Sequence, residues 1–314
     1  MNHTVICLVG PTACHKSETA VVLAKALSGE IVSADSVAVY RGLDIGSAKP
    51  TMEERQGIPH HMIDVADITD VDYTVARFRT EARDAIRNIL QRDRLPIVVG
   101  GSGLYSDAVF SDMSFSAPSD SAVRAKLEQE YDSDPNGIYE RLKAVDPEAA
   151  ARIHLNDAKR VVRAMEVYLV SGRPYSAWNR DFAQVQRGDG AFRVLRFGLN
   201  MDRARLYDRI NLRVDRMFAL GLQMEAYALF DKGFTPDRFA AMQSIGYAQM
   251  YDAYRKVCTV EQAHDAIQLA TRHFAKRQLT WFKRNPETRW YSFEDYETAV
   301  ALQTALCKEI QSKI

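Results

Sequence analysis

Little in this chain can be crosslinked or ligated through sulfur. Its four cysteines, Cys7, Cys14, Cys258 and Cys307, form no C-x-x-C pair and show no zinc-ligand spacing. That excludes a zinc ribbon or disulfide framework and leaves reduced thiols, as expected in the cytoplasm. No apolar run reaches the ~20 residues of a bilayer span. The opening M-N-H-T-V-I-C-L-V reads as a strand without a basic leader, so no membrane partner is expected. Net charge is missing too. Lys plus Arg equals Asp plus Glu at 41 each, so overall charge says nothing about nucleic acid. Internal repeats and low-complexity tracts are absent, which excludes a repeat array. What is present is 46% apolar residues over 314 positions, enough for one large or two modest packed domains.

The most informative stretch is V-I-C-L-V-G-P-T-A-C-H-K-S. An apolar strand, Val5 to Val9, ends at Gly10; Lys16 and Ser17 follow, then a helix-like run from Glu18 to Leu27. Strand, tight loop, Lys-Ser and helix make a P-loop. Backbone N–H groups and the helix N-terminus face phosphate, the lysine adds charge, and the Ser17 hydroxyl is placed to hold Mg²⁺. The phosphate-binding candidates are therefore Gly10, Pro11, Thr12, Ala13, Cys14, His15, Lys16 and Ser17. His15 stands where such loops carry glycine. A strand, a turn and a helix with an incidental Lys-Ser would read the same way. The next strand, Glu30 to Ser33, runs into Ala34-Asp35-Ser36. In an open α/β sheet the strand carboxyl ends line the ligand crevice, so Asp35 is placed as a base or a metal partner. The bland alternative is a Ser-Asp-Ser turn.

Further strands are expected at His61–Val65 and Pro96–Val99, with a helical pattern over Thr74–Leu90 between them. This alternation predicts an α/β fold with a parallel sheet. Val99 leads into Gly100-Gly101-Ser102-Gly103-Leu104-Tyr105, a second glycine-rich turn facing the same crevice. Met113–Asp120 and Gln184–Gly190 read as linkers around helices only: 122–131, 137–145, 147–153 and 157–170. A strand at Phe192–Asn200 and a helix at Arg203–Leu220 resume the core. The C-terminal part is expected to be mainly helical, with a long amphipathic segment at Val260–Lys283. The expected division is a P-loop core at 1–114 and 191–314 with an all-helical insertion at 115–190.

Charge is clustered even though its sum is zero. Between Thr271 and Trp290 lie Arg272, Lys276, Arg277, Lys283, Arg284 and Arg289 against one acid, Glu287, with Phe274, Trp281, Phe282 and Trp290 interleaved. Between Arg193 and Arg216 there are seven arginines and three aspartates. Cations for phosphate and aromatic faces for unstacked bases suit RNA. A solvated helix face over core aromatics would look the same.

The runs D-S-V-A-V-Y-R-G-L-D-I-G-S-A-K-P (35–50), G-I-P-H-H-M-I-D-V (57–65), G-G-S-G-L-Y (100–105), R-V-V-R-A-M-E-V-Y-L-V-S-G-R-P (160–174), R-I-N-L-R-V-D-R-M (209–217), S-I-G-Y (244–247) and A-K-R-Q-L-T-W-F-K-R (275–284) cover nearly the whole chain in order. The chain resembles the tRNA dimethylallyltransferases, also called tRNA isopentenyltransferases. The resemblance implies transfer of a dimethylallyl group from dimethylallyl diphosphate to the exocyclic amine of the adenine beside the anticodon. It implies a P-loop holding diphosphate rather than ATP, an inserted tRNA-binding domain, magnesium as cofactor and a tRNA anticodon stem-loop as partner. The chain is expected to act as a monomer. Asp35 would be the base, Thr12 and Ser102 would donate to phosphate oxygens, and Arg213 would point at the diphosphate. Asp35, Ser36, Val37, Ala38, Ser102, Arg124, Lys159, Arg160, Arg163, Lys276, Arg277 and Trp281 would meet tRNA.

The departures are specific. Cys14, His15 and Ser17 replace the family's Ser, Gly and Thr, and Ser17 keeps the hydroxyl. Ala38 replaces a Gln expected to bond the target adenine, which bears on adenine affinity. Three other readings share the P-loop. A small-molecule kinase would want an acid where the Val99 strand ends in Gly-Gly. An adenylate isopentenyltransferase would not need the helical insertion or the basic aromatic segment. A catalytically silent RNA-binding relative would tolerate His15 and Ala38 but has no need of Lys16, Ser17, Asp35, Ser102 and Arg213.

Overall fold

The computed structural model describes residues 3–70, 72–111, 119–178 and 190–314. It divides into two compact units, Met1–Phe110 with Gly190–Ile314, and Ser111–Asp189. Apart from Ser119, Asp120 and Gly190, the two linker-like stretches lie outside the described residues.

The first unit is built on strands β1 (Thr4–Val9), β2 (Gly29–Ser33), β3 (His60–His61), β4 (Leu95–Gly100), β5 (Arg193–Asn200) and β6 (Arg289–Ser292). They form a six-stranded sheet in the order β3-β2-β4-β1-β5-β6, and every pairing is parallel. β1 is central, with Ile6 opposite Ile97 on one side and Leu195 on the other. All six of its residues are buried. Its unbroken apolar run follows from this, because a strand covered on both faces has no solvent side to alternate with.

Successive side chains of β1 feed two separate cores, as the period of two requires. Val5, Cys7 and Val9 join Phe78, Ala82, Ile86 and Ile89 of a long helix, while Ile6 and Leu8 join Ala20, Val21 and Leu23 of the helix that follows the P-loop. These helices are α2 (Val75–Gln91) and α1 (Lys16–Ala26). Burial of each such aliphatic side chain stabilises by about 1.5–3 kcal/mol. α3 (Gly103–Phe110) follows β4.

The second unit contains α4 (Ser121–Ser133), α5 (Pro135–Val145), a single turn at Pro147–Ala150 and α6 (Ala158–Ser171). All four begin at an aspartate, Asp120, Asp134, Asp146 and Asp157, whose side chain accepts from a first-turn N–H. Pro135 and Pro147 occupy the first helical positions, where no N–H is needed. Each cap contributes about 1 kcal/mol. Leu127, Tyr131, Ile138, Leu142, Val161 and Met165 form the unit's own core.

The rest of the first unit adds α7 (Arg203–Ala219), α8 (Leu222–Asp231), α9 (Tyr247–Tyr254), α10 (Val260–Phe282) and α11 (Ala299–Gln311).

One expectation is corrected, and one strand is added to the mainly helical C-terminal part. The strand expected at His61–Val65 stops at His61. Met62 and Asp64 adopt left-handed φ of 64° and 57°, and the N–H groups of Asp64 and Val65 bond the carbonyls of Ala38 and Val39 instead of a strand. The C-terminal part also contributes β6, hidden in the basic aromatic run. Trp290 lies against Gly198 at the sheet edge.

Candidate active site

Because the sheet is parallel, the carboxyl ends of β1, β2, β4 and β5 share one edge, and the loops leaving them form the site. Gly10 has φ 149°, and a Cβ there would collide with the Leu199 carbonyl oxygen. Glycine is therefore required where the loop leaves β1. Ala13 and His15 sit at φ 61° and 52°. Alternating left-handed residues turn successive N–H groups inward, as in an anion nest. The loop delivers the chain into the N-terminus of α1, whose first N–H groups have no intrahelical partner.

Lys16 is half-buried, and its Nζ donates to the Pro11 carbonyl at 2.5 Å. Burial pulls its ammonium down to about 8; Arg213 adds to this, while Cys14 and Asp35 oppose it. Neighbouring groups therefore do not offset the cost of burying this charge. Ser17 is exposed in the first helical turn. Burial pushes the Cys14 thiol up to about 11, so it has no nucleophilic thiolate near neutral pH. The His15 ring is engaged by Glu18, by Arg209 and by Phe293 at 5.2 Å between centroids.

Asp35 stands at the end of β2. Its Oδ1 accepts from Val37 N at 2.8 Å and Ala38 N at 3.1 Å, so the turn of the bland reading exists. Its Oδ2 carries no hydrogen bond among the described residues. Lys16, Arg213 and Tyr105 all lie within electrostatic reach of the carboxylate. Arg213, half-buried on α7, is lowered by burial and raised in part by Asp35. Ser102 Oγ accepts from Ser36 N at 3.0 Å and donates to Ser36 Oγ at 3.1 Å. Glycine-rich loop, carboxylate and cations thus share one edge.

Ala38 is only 4% exposed, its N–H is spent on Asp35 and its carbonyl on Asp64. Its methyl belongs to the core rather than to an open face. Arg124 and Arg163 both pair with Glu166, which is fully buried at 0% exposure. Burial pushes that carboxyl up, but hydrogen bonds from Arg163, Asp120 N–H, Arg124 and Ser119 overcome this and hold it below the usual range. Lys159 and Arg160 are exposed, and Arg160 pairs with its cap Asp157 at 3.3 Å. On α10, Lys276 and Arg277 are exposed, whereas Trp281 Nε1 donates to Asp107 Oδ2 at 2.7 Å. Arg196, part of the second arginine run, is 9% exposed and bonded to the same Asp107. That run is therefore not a single basic surface.

Three residues with positional roles were not singled out from sequence. Arg209 Nε donates to the Ala13 carbonyl at 2.9 Å. Glu225 accepts from Ile45 N at 2.9 Å, Gly46 N at 3.0 Å and Tyr247 OH at 2.6 Å, pinning the 35–50 segment. Gln278 bonds Thr12 N–H and the Gly101 carbonyl. Their only sequence signal is membership of the quoted runs or, for Glu225, none.

A family model described as IPP transferase matches residues 38–285. The chain belongs to the IPP transferase family. It is 44% identical over 305 residues to the tRNA dimethylallyltransferase of Pelotomaculum thermopropionicum, covering 96% of this chain and 95% of the relative. It is 40% identical over 316 residues to that of Geobacillus thermodenitrificans, covering 100% and 98%. The full-length tRNA isopentenylpyrophosphate transferase of Bacillus halodurans superimposes with a TM-score of 0.71 at 38% identity, covering 99% and 97%. A eukaryotic dimethylallyltransferase captured acting on tRNA superimposes with 0.79 at 27% identity, covering 99% of this chain and 80% of that one. Among the described residues, no helix of this IPP transferase is long and apolar enough to cross a membrane.

Proposed function

We propose that this IPP transferase moves the dimethylallyl group of dimethylallyl diphosphate onto the exocyclic amine of the adenine next to a tRNA anticodon, releasing diphosphate. The observation that carries the reading is the meeting of Asp35, Lys16 and Arg213 at the edge where the P-loop opens. Alkylation of an amine breaks the C–O bond to diphosphate, forms a C–N bond and frees one proton. The loop N–H groups, the α1 N-terminus, Lys16 and Arg213 take the charge that develops on the departing oxygen. Asp35 accepts the amine proton through Oδ2 while Oδ1 stays fixed by its two N–H bonds. An anticodon loop is single-stranded, so its adenine reaches the site at low unstacking cost.

No three His, Cys, Asp or Glu side chains converge on a metal site among the described residues. Mg²⁺ prefers water and phosphate oxygens to a protein cage, and the exposed Ser17 hydroxyl would be its protein ligand. Bound there, Mg²⁺ would neutralise diphosphate charge. The exposed Lys159, Arg160, Lys276 and Arg277 suit RNA phosphates. Arg124 and Arg163 have a first role in holding Glu166. We place the reaction in the cytoplasm, carried out by a monomer.

The test is incubation with labelled dimethylallyl diphosphate, Mg²⁺ and unmodified tRNA, with AMP and ATP as competitors. Digestion of the tRNA should release dimethylallyl-adenosine. Label on AMP alone would move the chain to the adenylate enzymes, and ATP consumption with a metabolite acceptor would support a kinase.

A further inference from the structure

We propose that Gln278 is a positioning residue that sets the distance between the leaving diphosphate and the base. The inference rests on the reading above that the P-loop holds diphosphate and that Asp35 takes the proton. Gln278 lies on α10, and its side chain is 4% exposed. Its Oε1 accepts from Thr12 N at 2.8 Å, and its Nε2 donates to the Gly101 carbonyl at 2.9 Å. One amide therefore ties the loop leaving β1 to the loop leaving β4.

The tie continues to the base. Ser102 follows Gly101, and its hydroxyl bonds both the N–H and the hydroxyl of Ser36, the neighbour of Asp35. One turn further along α10, Trp281 lies against Gly103 and donates to Asp107. The loop carrying Ser102 is thus held on both sides by one helix. Gly101 fits the same account, since a Cβ there would collide with Gln278 Nε2. A side-chain amide offers an acceptor and a donor from one planar group at any pH. Two loops on different strands would otherwise set their spacing independently. In a displacement reaction, a misplacement of about 1 Å costs up to ~10²-fold in rate.

The test compares the whole protein with Gln278→Met, which keeps the bulk and loses both bonds, and with Gln278→Glu. A carboxylate can accept from Thr12 but repels the Gly101 carbonyl until it is protonated. Gln278→Met should lower kcat for prenyl transfer roughly 30-fold, with KM for tRNA within about threefold and an unchanged melting temperature. Gln278→Glu should regain activity relative to wild type as pH is lowered from 8 to 6, while the Met variant stays at a constant ratio. Gly101→Ala attacks the same bond from the other side and should reproduce the kcat defect, which keeps the test open if Gln278→Met does not fold. Wild-type kcat in Gln278→Met or in Gly101→Ala would overturn the proposal while leaving the transferase reading standing. A wild-type protein that transfers no label would overturn both.

Discussion

Two carboxylate–cation clusters invite comparison, one in each compact unit. In the helical unit Glu166 meets Arg124 and Arg163 through direct ion pairs at 2.9 and 2.8 Å, and Ser119 and Asp120 N–H complete its shell. In the core unit Asp35 feels Lys16 and Arg213 without an ion pair to either among the described residues. Lys16 spends a proton on a carbonyl instead. In the first cluster the carboxylate is saturated, and its pairs tie helices together. The second has a lysine whose ammonium is destabilised by burial and a carboxylate oxygen without a hydrogen bond among the described residues, which is the arrangement the proposed reaction uses. On the proposed function, the paired charges hold structure and the unpaired ones carry chemistry.

The largest expected effect tests the second half of that contrast. Asp35→Asn keeps the shape and its Oδ1 bonds but cannot take a proton. Single-turnover transfer should fall ~10²–10⁴-fold, with dimethylallyl diphosphate affinity little changed. A rate near wild type would reduce Asp35 to the turn residue that its Oδ1 bonds already make it.

Next comes the saturated cluster. Removing one member of a buried pair costs about 3–5 kcal/mol. Arg124 and Arg163 are partly exposed and can rehydrate, so Glu166→Gln should cost about 3 kcal/mol in urea unfolding, near the lower limit. The folded carboxyl sits below its unfolded value of about 4.3, so its contribution is complete above that pH and is lost as pH falls through the folded value. The stability gap between wild type and Glu166→Gln should therefore be full at pH 6 and close under acid. A gap independent of pH would show that shape rather than charge holds the helices.

A moderate effect should follow from Lys16. The free ammonium loses its proton near pH 8, and bound diphosphate would raise that value. Affinity for dimethylallyl diphosphate, measured by calorimetry, should be retained below pH 8 and decline above it, approaching tenfold per unit. A flat profile from pH 7 to 9.5 would mean that Lys16 is not the cation the site depends on.

The smallest effect is expected at His15. Glycine adopts its left-handed φ freely, and the ring is occupied by Glu18, Arg209 and Phe293. His15→Gly should leave diphosphate affinity within about threefold of wild type. A tenfold gain would show instead that the ring crowds the cradle.

The P-loop, the end of β2 at Asp35 and the Gly100–Gly103 turn were all legible, because strand, loop and helix follow one another within about twenty residues and carry local signals. The helices of the second unit were legible for the same reason. Less visible was everything whose meaning depends on a distant neighbour. Arg124 and Arg163 read as surface charge until Glu166 is seen beneath them, and Arg196 reads as part of a basic run until Asp107 is beside it. Trp290 looked like a stacking platform and is a sheet-edge residue.

Local chemistry and the periodicity of apolar residues specified the parallel α/β core, the phosphate loop and the family, since the signals for those lie within short stretches of the chain. The partner of each polar group was settled by folding. Gln278 meets Thr12 across 266 positions and Gly101 across 177. Glu225 meets Ile45 across 180. A hydrogen bond needs its two atoms within about 3 Å, and at such separations along the chain no spacing rule says which pairs will meet. Only the packing of α8 and α10 against the loops at the sheet edge brings them there.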